Sequence, residues 1–180
     1  MVRRSQFAVA GRLDAFLPEF DFEELRCRWI EADPEEVWRG LMDVRPLDLA
    51  LARRWTAVRG KPPSQALLSL LACRPLTMLA HQKNHFALSA VIEQPWRPTS
   101  PQEVATIDAF IRFDEPGWIK RLTAFELLPS QNGTRLCITT RVACTDPAVR
   151  PCHRIHQLLD QPRTSVAQRN LLDAVGRLAG

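Results

Sequence analysis

The 180-residue sequence lacks a hydrophobic run long enough to cross a membrane. Its longest apolar stretch, residues 66–73, is interrupted by Ser69, whereas a spanning helix needs about 20 apolar residues. The basic start at Arg3 and Arg4 is not followed by the apolar core of a signal peptide, because Arg12 interrupts it. We therefore expect a cytoplasmic protein without stable membrane insertion.

Lysine is also scarce, so the net charge of +4 comes almost wholly from arginine. The arginines are scattered along the chain, whereas a nucleic-acid-binding surface needs clustered basic residues. We expect no nucleic-acid partner. The sequence contains no Gly-x-Ser-x-Gly elbow, no glycine-rich phosphate loop and no His-Glu-x-x-His motif, which weakens an enzymatic interpretation without excluding it.

The five cysteines are odd in number and show no Cys-x-x-Cys spacing. This pattern predicts small buried thiols in a reducing compartment and no disulfide framework. Cys152 and His156 share one helical face, but no further ligand cluster accompanies them. We expect neither a metal nor a cofactor.

Hydrophobic content of 46% and charged content of 24% are those of an ordinary globular protein, and the length fits one domain. Residues 1–20 show little periodicity and are predicted to be a lead-in. Residues 21–180 are predicted to form a single domain that needs no disulfide or metal to fold.

The clearest strand is predicted over residues 133–144. Leu136, Ile138 and Val142 alternate with Arg135 and Arg141, so that the apolar side chains share one face. We expect the three apolar residues to be buried and Arg135 to be exposed. The same alternation places Arg141 on the outward face; the alternative is an inward guanidinium that meets a carboxylate or phosphate.

A long helix is predicted to follow this strand. Asp146-Pro147 is a capping residue followed by proline at the first helical position, and apolar residues recur at helical spacing beyond it. Pro162 lacks a backbone donor, which predicts a bend between Leu159 and Val166.

The rest of the chain predicts an α+β fold. A strand over residues 22–30 precedes a helix that starts at Asp33-Pro34, with Glu36 able to close a capping box. Further helices are expected up to residue 73. They are followed by a hairpin (residues 76–93) and by strands over residues 104–114 and 118–128. Short turns between strands imply an antiparallel sheet, which would curve around the terminal helix.

Several segments resemble a known superfamily. The Ala32-Asp33-Pro34-x-x-Val37-Trp38 opening is similar to that of the START-like helix-grip superfamily, also called SRPBCC. Four further segments resemble an uncharacterised bacterial subgroup: Leu17-Pro18-x-Phe20-Asp21, Trp96-Arg97-Pro98, Phe113-Asp114-Glu115-Pro116-Gly117 and Thr140-Arg141-Val142-Ala143-Cys144-Thr145-Asp146. The subgroup usually carries an acidic residue at the position of Thr139. The resemblance implies a helix-grip domain with an apolar cavity between sheet and helix, and no particular reaction.

The candidate ligand-binding residues are apolar or aromatic residues on several elements, as expected for a small-molecule pocket. They are Trp29, Phe86, Leu88, Phe110, Phe125, Ile138 and Thr140 on the sheet, with Ile155 and Leu159 on the helix. The competing interpretation is that these side chains only fill a core.

Three functions follow from this interpretation. We expect a hydrophobic small molecule or lipid bound in an internal cavity. The first alternative is a cyclase, aromatase or dehydratase that uses the same cavity with one acid or base. The second is a protein-interaction module with a filled interior. The sequence does not identify the ligand, the oligomeric state or the physiological role.

A first prediction concerns residues 64–73, which are apolar nearly all round and lie between Pro63 and Pro75. They form either a lid over the cavity or a packed core helix. If they form a lid, Leu70→Ser changes the uptake rate of an apolar fluorescent probe with little loss of stability. If they form core, the variant loses roughly 2–4 kcal/mol and its folded fraction binds the probe unchanged. Stopped-flow fluorescence together with urea unfolding separates these outcomes.

Overall fold

The structure of the protein, a computed structural model, contains one antiparallel sheet with a long helix across one face. It describes residues 13–44, 78–94, 102 and 104–180, without the side chains of residues 78, 156–164 and 167. Within this part, the sheet has five strands in the order β1-β5-β4-β3-β2. The α+β helix-grip arrangement predicted from the sequence is confirmed.

The described elements follow one another along the chain as β1 Phe22–Ile30, α1 Pro34–Asp43, β2 Met78–Gln82, β3 Phe86–Glu93, α2 Ile107–Arg112, β4 Ile119–Ser130, β5 Gly133–Cys144, a 3₁₀ turn Pro147–Val149 and α3 Arg150–Ala179. All neighbouring strands are antiparallel. None of the described helices combines the length and the apolarity that a membrane span requires.

Helix α1 begins with the capping box predicted from its sequence. The Asp33 carboxylate accepts hydrogen bonds from the backbone amides of Glu35 and Glu36, and the Glu36 side chain accepts from the Asp33 amide. The helix crosses α3 closely at Gly40, where an added Cβ would lie 3.1 Å from the Val175 carbonyl oxygen. The absence of a side chain at Gly40 thus permits this contact.

Both faces of the sheet are covered. We call the face toward α3 the inner face and the opposite one the outer face. The inner-face cluster joins the sheet to α1 and the end of α3 through Ile30, Val37, Trp38, Leu41, Phe125, Leu127, Leu136, Ile138, Leu172 and Val175. The outer-face cluster joins the sheet to α2 and residues 13–17 through Leu13, Leu17, Leu88, Ala90, Ile92, Val104, Phe110, Leu122 and Ala124.

Strand β5 follows the predicted alternation. Leu136, Ile138 and Val142 are buried and Arg135 is exposed, as expected. Helix α3 runs without a break through Pro162, so this proline does not end it; the bend stays a prediction. The proposed lid, residues 64–73, lies outside the described residues.

The strand predicted over residues 104–114 is wrong, because residues 107–112 form helix α2. Thr106 is its N-cap, with the side-chain oxygen accepting a hydrogen bond from the Ala109 amide. Ile107 and Phe110 stand three residues apart and both pack against the outer-face cluster, which is the spacing of a helical face. In so short a segment, the alternating pattern did not distinguish a strand from a helix.

The prediction of unpaired cysteines is also wrong for two of them. Cys27 and Cys137 are directly opposite each other on β1 and β5 and form a disulfide. Cys144 and Cys152 are free. Sequence spacing could not reveal this pair, because 110 residues separate the two cysteines and only the pairing of β1 with β5 brings them together.

Arg141 lies on the outer face, as its alternation indicates, but it is buried there beneath residues 14–20. Its guanidinium donates to Asp14 at 2.6 Å, to Glu23 at 2.5 Å and to the Leu17 carbonyl oxygen at 3.1 Å. The Phe20 ring lies 4.3 Å from its Cζ atom. Burial lowers the pKa of Arg141, but the hydrogen bonds and charges of Glu23 and Asp14 outweigh burial and raise it.

Three of the segments that resemble the bacterial subgroup, residues 17–21, 113–117 and 140–146, are joined by hydrogen bonds at one end of the sheet. Asp21 accepts a hydrogen bond from the Cys144 amide at 2.8 Å, and Asp146 accepts one from the Gly117 amide at 2.5 Å. Gly117 has a φ of 89°, a conformation that favours glycine. These residues tie the end of β5 to the segments before β1 and β4. Residues 96–98 lie outside the described residues.

We predict that Arg141→Ala destabilises the protein by about 2–3 kcal/mol, because it removes the common partner of Asp14, Glu23 and the Leu17 carbonyl. Both carboxylates are partly exposed and can be rehydrated, which limits the loss. Urea unfolding measures the change. Arg135→Ala, at an exposed position of the same strand, is the control and should change stability by less than about 0.5 kcal/mol. Equal effects of the two substitutions would contradict this role of Arg141.

A second prediction concerns Cys144, whose pKa is raised from 9.0 to about 12 by burial and by the charge of Asp21. As pH rises above about 9, the unfolded thiol ionises while the folded thiol stays protonated. Folding stability is therefore lost progressively between about pH 9 and about pH 12. Urea midpoints measured across this range should fall more steeply for the parent protein than for Cys144→Ala. Parallel pH profiles for the two proteins would refute the prediction.

Candidate ligand-binding site

A polar row crosses the inner face of the sheet. The strand register places Glu24 opposite Thr140, Thr140 opposite Thr123, and Thr123 opposite Ser89. Because directly opposite residues point to the same side of a sheet, all four side chains belong to the face that α3 covers. Thr140 and Ser89 are buried, so this row lies inside the fold.

Among its described side chains, helix α3 contacts the polar row through Ser165 and Gln168. Gln168 Nε2 donates to Thr140 Oγ1 at 3.5 Å, and Thr140 Oγ1 lies 3.3 Å from Thr123 Oγ1. Ser165 Oγ donates to Glu24 Oε1 at 3.3 Å. Residues 165 and 168 of the helix therefore face hydroxyl and carboxylate groups. The following turns, with Leu172 and Val175, face the apolar inner-face cluster.

Two arginines flank the polar row on opposite sides. Arg26 follows Glu24 on β1 and donates to both Glu24 and Ser165. Arg121 precedes Thr123 on β4 and forms an ion pair with Glu93 at 2.7 Å. The spacing of residues and strands separates the two arginines by about 13 Å along the strands and about 10 Å across them. Each guanidinium charge is thus balanced by one carboxylate.

Three buried polar atoms around this row have no hydrogen-bond partner among the residues that the structure describes. They are Nε of Arg26, Nε of Arg121 and Oε1 of Gln168. A buried polar group without a partner costs stability, and the great majority in proteins are paired. Two N–H donors and one carbonyl acceptor are therefore present on one surface.

An apolar wall adjoins the polar row. In the next register row, Arg26 on the edge strand is followed by Ile138, Phe125 and Ala87, and these three apolar residues are buried in the inner-face cluster. Trp38 and Val37 of α1 pack onto the same cluster and close this end of the inner face. The inner face thus changes from apolar to polar within one row of residues.

Phe125, Ile138 and Thr140, three of the candidate residues predicted from sequence, lie on this surface. Their role in ligand binding stays a prediction. Ile155 is on α3 but is 61% exposed, and the side chain of Leu159 is outside the described residues.

The other four candidates lie on the outer face. Leu88, Phe86 and Phe110 pack in the outer-face cluster, and Trp29 is 41% exposed next to the Gly133 turn. The structure does not bring them to the surface that α3 covers. The sequence pattern correctly put alternate residues of each strand on one face. It could not tell which face was inner, because apolar side chains cover both.

Sequence analysis missed Glu24, Arg26, Arg121 and Gln168. On β1, Glu24, Arg26 and Arg28 point inward while Leu25 and Trp29 are exposed on the outer face, the reverse of the usual pattern. The alternation in β1 was visible in the sequence. Only the pairing of Arg26 with Ile138 reveals that the charged side faces the helix.

A separate cleft lies at the edge of the inner-face cluster, with Trp38 in its wall. It has a volume of about 320 Å³ and is lined by Trp38, Met42, His81 and Lys83, between α1 and the β2–β3 hairpin. Lys83 forms an ion pair with Glu35 at 3.2 Å. None of the residues that line this cleft belongs to the polar row. The row, with its buried unpaired atoms, is therefore the stronger candidate site.

Within the described residues, no group of three or more histidine, cysteine, aspartate or glutamate side chains could hold a metal ion. Cys152, one of the two residues considered for zinc, is exposed, and the side chain of the other, His156, is not described.

The sequence matches no protein-family model and no curated protein. Solved structures that are similar to it include protein MLL2253 from Mesorhizobium loti, with 15% identity, a TM-score of 0.40, and coverage of 87% of this chain and 98% of that one. The di-domain ARO/CYC StfQ from the steffimycin biosynthetic pathway has 10% identity and a TM-score of 0.42, covering 96% of this chain and 54% of that one. Ara h 8.0201 has 9% identity and a TM-score of 0.27, covering 84% and 98%. Similarities this distant do not extend to the residues of a site.

The geometry of Gln168 gives a testable prediction. Its Oε1 atom is buried without a partner and its Nε2 atom makes one long hydrogen bond. Gln168→Leu should therefore leave stability unchanged or raise it by about 1 kcal/mol, because leucine removes a buried acceptor that has no partner. Urea unfolding measures this. A loss above about 2 kcal/mol would show instead that Gln168 is needed for the fold.

Proposed function

We propose that the protein binds an amphipathic small molecule or lipid between the inner face and α3. The apolar part of this ligand lies against Phe125 and Ile138. Its polar part carries oxygen atoms that accept from Arg26 and Arg121, and a hydroxyl or amide group that donates to Gln168. The observation that carries this proposal is the set of three buried, unpaired polar atoms beside an apolar wall.

The three unpaired polar atoms favour an amphipathic ligand over a purely apolar one. A hydrocarbon against the polar row would leave both Nε–H groups and the Gln168 carbonyl without partners, at a cost of about 1–3 kcal/mol each. A ligand oxygen removes this cost. Because Glu24 and Glu93 already balance the two guanidinium charges, a neutral carbonyl or hydroxyl oxygen suits the site as well as an anion.

The proposal refines the purely apolar cavity expected from the sequence. Apolar contact supplies most of the affinity in such sites, and a few polar groups fix the orientation of the ligand. In this protein, the polar groups are the polar row and the two arginines that flank it on β1 and β4. The polar part of the ligand would therefore lie over this row.

Two naphthalene probes of similar size test the proposal. Anilinonaphthalene sulfonate carries an anionic oxygen group, whereas N-phenylnaphthylamine is neutral and nearly apolar. We expect Arg121→Met to weaken sulfonate binding by roughly tenfold or more, and binding of the neutral probe by less than about threefold, because the substitution removes a charge-assisted donor and keeps the apolar stem. Fluorescence titration measures both affinities.

Arg135→Met is the matched control, since it removes an arginine from an exposed position of the neighbouring strand. It should change neither affinity. Equal loss of affinity for both probes in Arg121→Met would indicate general damage to the fold around the inner face. Failure of the parent protein to bind either probe, or any hydrophobic ligand in native mass spectrometry after purification, would defeat the proposal and favour an interaction module.

A further inference from the structure

The Cys27–Cys137 disulfide lies within the β1–β5 ladder and on the outer face. The nine register pairs run from Phe22–Val142 to Ile30–Thr134, and the two cysteines are directly opposite each other among them. Their Cα atoms are 4.1 Å apart. The side chains point away from α3, because Arg26 and Arg28 on either side of Cys27 belong to the inner face.

The two sulfur-bearing residues differ in accessibility. Cys27 is exposed, whereas Cys137 is only 4% exposed. On the same face of β1, Leu25 and Trp29 are 45% and 41% exposed, so no described segment covers Cys27. A thiol that approaches from solvent therefore meets Cys27 first, and Cys137 is placed to leave.

Strand β1 is an edge strand of the described sheet, paired only with β5. Two further contacts fasten its ends. Glu23 accepts from Arg141, and the Thr134 hydroxyl donates to the Ala32 carbonyl at 2.9 Å. Between these ends, the disulfide is the covalent link between the strands. Breaking it leaves the ends fastened, and only ladder hydrogen bonds then join the middle of β1 to β5. The contacts of Glu24 and Arg26 with Ser165, and the ion pair of Arg28 with Asp173, still join it to α3.

We propose that this disulfide is a site of thiol–disulfide exchange with a dithiol reductant. A thiolate of the reductant attacks Cys27 Sγ, the Cys27–Cys137 bond breaks, and Cys137 leaves as a thiolate that takes up a proton. The second thiol of the reductant then attacks the mixed disulfide, which frees Cys27 and oxidises the reductant to its own disulfide. Two electrons pass to the protein, and its fold is retained while the middle of β1 loosens.

The consequence for ligand binding rests on the proposed function. Glu24 and Arg26 adjoin Cys27 on the inner face, and Arg26 is one of the proposed ligand contacts. A looser β1 holds these side chains less firmly. The reduced protein should therefore bind the anionic naphthalene probe more weakly than the oxidised protein, by roughly threefold to tenfold.

The test uses the full chain with Cys73, Cys144 and Cys152 replaced by serine, so that only the pair remains. The oxidised protein is treated with dithiothreitol under native conditions, alkylated with iodoacetamide at intervals, and analysed by peptide mass spectrometry. We expect both cysteines to become alkylated, Cys27 faster than Cys137, while far- and near-ultraviolet circular dichroism stay native. Hydrogen exchange should accelerate in residues 24–29 by roughly tenfold, and far less in residues 119–128 of β4.

Cys27→Ser/Cys137→Ser is the control for the loosened state, and its exchange pattern should match that of the reduced protein. Three outcomes would overturn the proposal: alkylation only after global unfolding, equal acceleration of exchange across all strands, or no disulfide after oxidation. If the oxidised protein binds neither naphthalene probe, the proposed function fails. The alkylation and exchange data still decide the proposal on the disulfide.

Discussion

The burial of β5 on both of its faces is the constraint on which the rest of this structure depends. Leu136 and Ile138 point toward α3, while Cys137, Thr139 and Arg141 point to the outer face, and all five are buried. A strand buried on both sides needs a cover on each. The terminal helix and α1 provide one cover. Helix α2 and residues 13–17 provide the other, and β1 and β4 flank the strand within the sheet.

This double burial explains where the charged residues lie. Arg141 is buried on the outer face, where its guanidinium donates hydrogen bonds to Asp14 and Glu23. The bond to Asp14 helps to hold residues 14–20 against the sheet. Arg26 and Arg121 are likewise paired with carboxylates on the inner face. The two sites differ in how many guanidinium donors form hydrogen bonds. Arg141 donates to three groups, whereas Arg26 and Arg121 each keep a buried Nε–H without a described partner.

Polar contacts also join chain segments at one end of the sheet. Asp21 accepts a hydrogen bond from the Cys144 amide, and Asp146 accepts one from the Gly117 amide. These residues lie in segments that resemble the bacterial subgroup. The polar row lies elsewhere, on the inner face of the same sheet.

The sequence by itself determined the local elements: the Asp33 capping box, the hairpin around Asn84, the strand over residues 133–144 and the long terminal helix. These depend on neighbours within a few residues, where periodicity and turn chemistry are decisive. Only the tertiary structure decided which face of each strand is the inner one and which cysteines form the disulfide. Those features depend on the register between strands far apart in sequence, and alternation alone fits either face when both are buried.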